Sequence, residues 1–218
     1  IVQNVNTRQT NVILGEKERV LFGPGFILDT LCGLTFRISS QSFYQVNATQ
    51  TEVLYNEAIR LANLTGAETV IDAYCGTGTI GLVAARRGAA RVIGVDSVPS
   101  AIRDAANNAR HNGVENAEFV TQDATAFMKE LEASEERPQP LVLLMDPPRA
   151  GSAPEFLEAA TSLAPERIVY ISCNPATQAR DVRQLVESGY EVRAVRPVDM
   201  FPHTDHVESI VLLEKRND

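Results

Sequence analysis

The chain has 218 residues, of which 44% are hydrophobic and 22% are charged, a composition typical of a globular domain with a sizeable core. No apolar run approaches the ~18–20 residues that a membrane-spanning helix needs, and no signal peptide is visible, so we expect no membrane partner. The formal net charge of −8 disfavours a nucleic-acid partner, because phosphate binding normally uses a basic face.

The cysteines indicate a reducing environment. Cys32, Cys75 and Cys173 have no spacing typical of a disulfide framework and leave an odd thiol, so we expect a cytoplasmic protein. There is no Cys-x-x-Cys pair for zinc or an iron–sulfur cluster. His203 and His206 lack a fixed third ligand, so we assign no metal site.

Residues 1–45 carry a different pattern from the remainder. Their short apolar stretches are separated by glycine and proline, which is typical of β-hairpins. The stretches are 12–14, 19–22, 26–28 and 34–38. The chain opens without an initiator methionine, so we interpret residues 1–45 as a β-rich remnant of a subdomain belonging to a longer protein.

Residues 46–218 predict one α/β domain. A helical pattern over 47–62 is followed by alternating elements. Strands are predicted at 69–73, 91–95, 118–121, 141–145 and 167–171, and helices near 79–87, 100–112, 124–135, 154–163 and 175–188. Two further strands, 190–195 and 207–213, follow without an intervening helix. This order predicts a doubly wound parallel sheet with an antiparallel hairpin at one edge.

A glycine-rich loop follows the first strand of this domain. Gly76, Gly78 and Gly81 form a GxGxxG pattern, which permits a tight turn and close approach of a ligand to the backbone. Asp96 ends the second strand, where a carboxylate can accept hydrogen bonds from both ribose hydroxyls. This pair alone suits NAD, so an NAD-dependent oxidoreductase is one interpretation.

Two other carboxylates favour S-adenosylmethionine. Asp72 stands four residues before Gly76, a position suited to a cationic amino acid moiety and unsuited to a pyrophosphate. Asp146 begins the sequence Asp-Pro-Pro-Arg directly after the fourth strand, at the same sheet edge. There a carboxylate and a rigid turn would line a methyl-transfer pocket.

Cys173 lies between an apolar strand and a helix. Asn174 suits the N-cap of that helix and Pro175 its first position, where no backbone donor is needed. The thiol therefore falls at the carboxyl edge of the sheet, where open α/β sheets bind ligands. The positive end of the helix is expected to favour the nucleophilic thiolate. The structural alternative is a small buried cysteine at a strand end.

Three parts of the sequence resemble the RNA uracil-5 methyltransferases, which form 5-methyluridine in ribosomal and transfer RNA. They are residues 146–151 together with 168–177, residues 198–208, and residues 42–47. The resemblance covers essentially the whole chain. It implies a class I, Rossmann-like methyltransferase fold with a small β-rich appendage, S-adenosylmethionine as the cofactor and RNA as the partner of a monomer. Residues 201–204 look closer to the ribosomal members than to those acting on the transfer-RNA T-loop.

The resemblance also implies roles for particular residues. Cys173 is the nucleophile and Glu208 is the general base. The implied cofactor contacts are Gln45, Tyr74, Gly76, Thr79, Asp96, Asp123 and Asp146. The family's N-terminal RNA-binding domain, which carries an iron–sulfur cluster in some members, does not precede residue 1, so we expect weak RNA binding. A non-catalytic RNA-binding module stays open as a third function beside the methyltransferase and the oxidoreductase.

Overall fold

The computed structural model describes residues 1–9, 14–15 and 17–216. The first elements in these ranges are β1 (Val2–Val5), β2 (Lys17–Val20), β3 (Phe26–Leu31), β4 (Leu34–Ser39) and α1 (Ala48–Ala62). Strand β1 pairs antiparallel with β2, and β3 pairs antiparallel with β4. The hairpins predicted for this region are confirmed, although the pattern missed β1. Most of the predicted stretch 12–14 lies outside the described residues.

Alternating strands and helices make up the rest of the described chain. They are β5 (Thr69–Ala73), α2 (Thr79–Arg86), β6 (Arg91–Asp96), α3 (Pro99–His111), β7 (Ala117–Thr121), α4 (Ala124–Ala133), β8 (Leu141–Met145), α5 (Pro154–Ser162), β9 (Arg167–Ser172), α6 (Pro175–Glu187), β10 (Tyr190–Val198) and β11 (Glu208–Lys215). The order of elements is the predicted one. The main differences are at the end, where β10 extends to Val198 and β11 begins one residue later and ends two residues later than predicted.

Seven of these strands form one sheet in the order β10-β11-β9-β8-β5-β6-β7. Strands β5 to β9 run parallel to one another, whereas β11 runs antiparallel to both β9 and β10. The predicted doubly wound sheet with an antiparallel edge hairpin is therefore confirmed. The strand order reverses between β5 and β8, and such a switch point opens a crevice at the carboxyl ends of the strands.

Both faces of the sheet are covered by helices. Val70 and Val169 pack into the cluster that also holds apolar residues of α1, α2 and α3. Their neighbours Ile71 and Ile168 point the other way, into the cluster with α4, α5 and α6. Burial on both faces explains why a strand such as β8 is a continuous apolar run with no polar alternation.

The β3–β4 hairpin is attached to α3 by asparagine side chains. Asn112 Oδ1 accepts a hydrogen bond from the Thr35 amide at 2.9 Å, and Asn108 Oδ1 accepts one from the Arg37 amide at 2.8 Å. Phe36, between these two residues, is fully buried in the main core. These contacts fix the start of the loop that leads from β4 to α1. The division into domains at residue 45 stays a prediction. In the described ranges, no helix is long and apolar enough to cross a membrane.

Candidate active site

A cavity of about 490 Å³ opens at the carboxyl ends of β5, β6, β7, β8 and β9. Its volume lies within the range of small-molecule sites. Its lining residues are Phe43, Gln45, Tyr74, Gly76, Asp96, Ser97, Val98, Asp123, Ala124, Asp146, Pro147, Pro148, Arg149, Cys173 and Glu208. The fold thus brings eight of the nine predicted site residues to one cavity. The ninth, Thr79, lines a smaller cavity that shares Phe43, Gln45, Tyr74, Gly76 and Asp146 with the first.

The glycine loop forms one wall of this cavity. Gly78 has a φ of 77° and precedes α2, and a Cβ at this position would lie 2.8 Å from Phe119 Cε1. Tyr74 has a φ of 64°, a left-handed conformation that strains a bulky residue. Its hydroxyl donates a hydrogen bond to Ser152 Oγ at 3.3 Å. The loop therefore keeps the Tyr74 ring at the cavity wall.

Asp96 is oriented by two backbone amides. The Gly76 amide donates to its Oδ2 at 2.9 Å, and the Val98 amide donates to its Oδ1 at 2.8 Å. An ionised carboxylate has about four lone-pair positions, so each oxygen keeps acceptor capacity for another hydrogen bond. The carboxylate is thus fixed at the end of β6 while it lines the cavity, an arrangement suited to a ligand with paired hydroxyls.

Asp72 has a different environment from the predicted one. Its carboxyl group is buried, its Oδ2 accepts a hydrogen bond from the Gly81 amide at 2.9 Å, and it lines neither cavity. Burial raises the pKa of Asp72 to about 8, with a smaller contribution from Asp146. In the free protein the carboxyl group thus contacts the first turn of α2. The contact of Asp72 with a cationic moiety stays a prediction.

Cys173 and Glu208 lie at the ends of adjacent strands. Ser172, the last residue of β9, pairs with Ser209 of β11. Cys173 directly follows β9, and Glu208 is the first residue of β11. Glu208 is buried, whereas Cys173 is partly accessible, and both line the cavity. The two strand ends therefore bring a thiol and a carboxyl group to the same part of the cavity.

The electrostatic environment of Cys173 differs from the expected one. Burial, followed by the charges of Glu208 and Asp146, raises the pKa of the thiol, and Arg149 only partly opposes this shift. Asn174 caps α6, as predicted, by accepting a hydrogen bond from the Ala176 amide. In the free protein, burial and the two carboxylates therefore favour the neutral thiol, and stabilisation of the thiolate by the helix end stays a prediction.

The two carboxyl groups near Cys173 also have shifted pKa values. Burial, followed by the charge of Glu208, raises the pKa of Asp146 to about 7. Burial raises the pKa of Glu208, and His206 opposes this shift. Both carboxyl groups thus hold a proton more readily than carboxyl groups in water, which suits a role in proton transfer.

Arg149 is a site residue to which the sequence prediction gave no role. It lines the cavity and is the cation whose charge lowers the pKa of Cys173. Asn174 Nδ2 and Thr177 Oγ1 both donate hydrogen bonds to its backbone carbonyl, at 3.1 and 3.2 Å. The loop after β8 is thus attached to the loop after β9. The position of Arg149 directly after Asp-Pro-Pro is the sequence signal that could have identified it.

A second missed residue, Asp181, is buried within α6. Its Oδ2 accepts hydrogen bonds from the Ser152 amide at 2.8 Å and from the Tyr170 hydroxyl at 2.7 Å. Its Oδ1 forms an ion pair with Arg180 at 2.7 Å. Asp181 therefore joins α6 and β9 to the end of the loop that carries Asp146. An acidic residue in the middle of a helix has no sequence signal that separates it from a surface residue.

The remaining predicted residues have identifiable positions. Thr79 Oγ1 lies 2.9 Å from the Tyr55 hydroxyl at the start of α2. Asp123 caps α4 by accepting a hydrogen bond from the Ala126 amide, and it lines the cavity beside Asp96. Gln45 lines both cavities. Within the described ranges, no group of three or more His, Cys, Asp or Glu side chains could hold a metal ion.

The sequence matches the tRNA (uracil-5-)-methyltransferase family over residues 11–216. The chain belongs to this family. The predicted resemblance to RNA uracil-5 methyltransferases is thereby confirmed, and the alternative of an NAD-dependent oxidoreductase is rejected.

Individual relatives agree with membership of the tRNA (uracil-5-)-methyltransferase family. An uncharacterised RNA methyltransferase of Halalkalibacterium halodurans is 52% identical over 217 residues, which cover 100% of this chain and 47% of that protein. One of Lactiplantibacillus plantarum is also 52% identical, over 99% of this chain and 47% of that protein. This member of the family thus spans about half the length of these relatives.

Solved structures show the same fold. The tRNA (uracil-54, C5)-methyltransferase of Pyrococcus abyssi, in complex with S-adenosyl-L-homocysteine, is 35% identical with a TM-score of 0.79, over 96% of this chain and 49% of that chain. An S-adenosylmethionine-dependent methyltransferase of Agrobacterium tumefaciens, 17% identical, has a TM-score of 0.69 over 92% of this chain and 74% of that chain. The predicted Rossmann-like methyltransferase fold is confirmed.

Proposed function

We propose that this member of the tRNA (uracil-5-)-methyltransferase family carries the catalytic part of an S-adenosylmethionine-dependent enzyme that methylates carbon 5 of a uridine in RNA. The observation that carries the proposal is that Cys173 and Glu208, at the adjacent ends of β9 and β11, both line the cavity that Asp96 and the glycine loop also line. A thiol, a carboxyl group and a nucleoside-binding wall are the groups that this chemistry needs. The free thiols of the three cysteines support a cytoplasmic setting.

The cavity has the properties of an S-adenosylmethionine site. Gly76 lines it with a φ of 54°, and a Cβ there would meet no atom within 4 Å, so the backbone faces open space. Asp96 offers two oriented acceptors for ribose hydroxyls. We assign further contacts to Gln45, Tyr74, Thr79, Asp123 and Asp146, which line this cavity or the adjoining one. When bound, the cofactor supplies an electrophilic methyl group.

Cys173 would make the uracil ring reactive. Carbon 5 of uracil is a poor nucleophile, and a base cannot readily remove its hydrogen directly. Addition of the Cys173 thiolate at carbon 6 forms a carbon–sulfur bond and converts the ring to an enolate that is nucleophilic at carbon 5. The Arg149 charge opposes the raised pKa of the thiol, so it favours the thiolate that this step requires.

Glu208 would complete the reaction. After carbon 5 is methylated, it still carries the proton that must leave. The Glu208 carboxylate accepts this proton, the electron pair restores the double bond between carbons 5 and 6, and the bond from carbon 6 to Cys173 breaks. The thiolate is regenerated and 5-methyluridine is released. Asp146 is the next carboxyl group in the same cavity and stands as the alternative base.

We propose ribosomal RNA as the substrate class, because residues 201–204 look closer to the ribosomal members of the family. The tRNA (uracil-54, C5)-methyltransferase of Pyrococcus abyssi favours a transfer-RNA uridine as the second candidate. In either RNA the target base must leave any stack that it occupies in order to reach Cys173 inside the cavity.

A chromosomal Cys173→Ala allele tests the proposal in the protein as the cell makes it. Ribosomal and transfer RNA from wild-type and variant cells would be digested and analysed for 5-methyluridine by mass spectrometry. Loss of 5-methyluridine at a ribosomal position is the expected result. Loss at a transfer-RNA position would support the second candidate, and unchanged 5-methyluridine in both RNAs would contradict the function. A Cys32→Ser allele, which alters a thiol outside the cavity, is the matched control.

A further inference from the structure

Phe43 has an unusual position for a phenylalanine. It is 79% exposed, yet it lines both the main cavity and the smaller adjoining one. Val46, three residues later, is 82% exposed but lines neither cavity. Phe43 and Val46 are therefore both highly exposed, but of the two only Phe43 also lines the cavity.

The segment that carries Phe43 is attached to the protein on both sides. Ser42 Oγ donates a hydrogen bond to Asp104 Oδ2 of α3 at 2.7 Å. Asn47 Nδ2 donates to the Met200 carbonyl at 3.0 Å, and its Oδ1 caps α1. These contacts hold the backbone on either side of Phe43, so the outward position of its ring belongs to the fold.

The aromatic residue next to Phe43 has the opposite orientation and points into the core. The Tyr44 ring packs against Phe36 of the main core, with the two ring centroids 6.4 Å apart. The chain thus directs one aromatic side chain into the core and the preceding one to the rim of the cavity. An exposed phenylalanine at the rim of a cavity gains nothing from solvent, so its aromatic surface is available to a ligand.

The depth of the reactive groups limits what that ligand can be. Glu208 is buried and Cys173 is only partly accessible, so a uracil that reaches both must enter below the rim. The exposed Phe43 ring is then left for a base that stays outside. Enzymes that extrude a nucleotide contact the nucleotides on either side of it, and unpaired bases stack on aromatic side chains whatever their sequence.

We propose that the Phe43 ring is a stacking platform for an unpaired base of the RNA that flanks the target uridine. This inference rests on the proposed function, because it takes RNA as the ligand. Stacking on one aromatic ring accounts for a loss of roughly five- to a hundredfold in affinity when the ring is removed. The interaction uses the face of the base and involves no charge, so it operates on a protein whose net charge is −8.

The test is the affinity of the protein for a fluorescent single-stranded RNA of adenosine and uridine, measured by anisotropy at low salt. Phe43→Ala and Phe43→Leu are expected to weaken binding at least about fivefold, since both lack an aromatic face. Phe43→Trp is expected to retain the wild-type affinity. Val46→Ala is the matched control, because it removes an exposed apolar side chain from the same segment outside the cavity. This variant is expected to leave RNA binding unchanged.

Three outcomes would overturn the proposal. They are an absence of RNA binding by the wild-type protein, equal affinities of the wild type and Phe43→Ala, and an equal loss in Phe43→Ala and Val46→Ala. Calorimetry with S-adenosylhomocysteine provides a further check. If Phe43→Ala weakens this binding and leaves RNA affinity unchanged, the ring contacts the cofactor and the proposal is wrong. None of these measurements requires turnover, so a wild-type protein that binds RNA through Phe43 but methylates no uridine would contradict only the proposed function.

Discussion

Glu208 begins β11 beside the end of β9, which Cys173 directly follows, and the charge of Glu208 acts on the Cys173 thiol. The two residues are separated by a helix, a strand and a loop in the sequence, and the antiparallel return of β11 brings them together. Burial raises the pKa of the thiol in the free protein, and the charge of the neighbouring Glu208 raises it further. In the proposed reaction, the same carboxyl group is the base that ends the cycle in which the thiol takes part.

Glu208→Gln is expected to trap a covalent complex. Thiolate addition and methylation do not need the carboxylate, but elimination does, so the enzyme and RNA should stay joined through Cys173. The adduct would be detected as a shifted band on denaturing electrophoresis with radiolabelled RNA.

Cys173→Ala supplies the control for this experiment. It should give neither adduct nor product, and the double variant should behave in the same way, because the two residues act in sequence on one intermediate. An adduct that still forms with Cys173→Ala would show that another residue is the nucleophile. Normal turnover by Glu208→Gln would direct attention to Asp146 as the base.

The reactivity of Cys173 in the free protein is expected to rise with pH into the alkaline range. Its pKa is raised by burial first and by Glu208 and Asp146 next, so little thiolate exists at pH 7. Alkylation by iodoacetamide, followed for the Cys173 peptide by mass spectrometry, should therefore have its midpoint above that of an ordinary thiol. Glu208→Gln removes one charge that opposes the thiolate, so the midpoint should move to lower pH. A wild-type midpoint near neutrality would show that the helix end outweighs the carboxylates.

Asp96→Ala is expected to lower the affinity for S-adenosylhomocysteine at least tenfold. The change removes acceptors for ribose hydroxyls, and hydrogen bonds to a charged group are worth about 1.5–3 kcal/mol each. It also releases the Gly76 and Val98 amides that the carboxylate orients. Calorimetry measures the loss, with Glu155→Ala on the exposed first turn of α5 as the control variant. An unchanged affinity would place the ribose elsewhere in the cavity.

Asp181→Ala is expected to destabilise the protein by about 2–3 kcal/mol, because it leaves buried donors without an acceptor. The donors are the Tyr170 hydroxyl and the Ser152 amide, and the ion pair with Arg180 is lost as well. Urea unfolding monitored by circular dichroism measures the change in the free energy of unfolding. Asp205→Ala serves as the comparison, since the Asp205 side chain is 98% exposed and should change stability little. Equal effects of the two substitutions would contradict the structural role of Asp181.

Much of the fold could be predicted from the sequence because its signals are local. Three local patterns predict structure that is present in the fold. They are the apolar run over β8, the N-cap residue Asn174 followed by Pro175, and the glycines after β5. Alternation of strands and helices then predicts a doubly wound sheet, since helices must cover both faces of parallel strands. The site residues that follow strand ends, such as Asp96 and Asp146, could be found for the same reason.

Tertiary structure decided what depends on burial and on contacts between distant segments. The sequence correctly places Asp72 beside the glycine loop, but only the packed structure buries its carboxyl group against Gly81 and raises its pKa to about 8. The helix after Cys173 predicts a stabilised thiolate, but in the packed structure burial of the thiol, followed by the charges of Glu208 and Asp146, raises its pKa. Charge and protonation depend on every group within a few ångströms, whereas a local pattern reports only the neighbours along the chain.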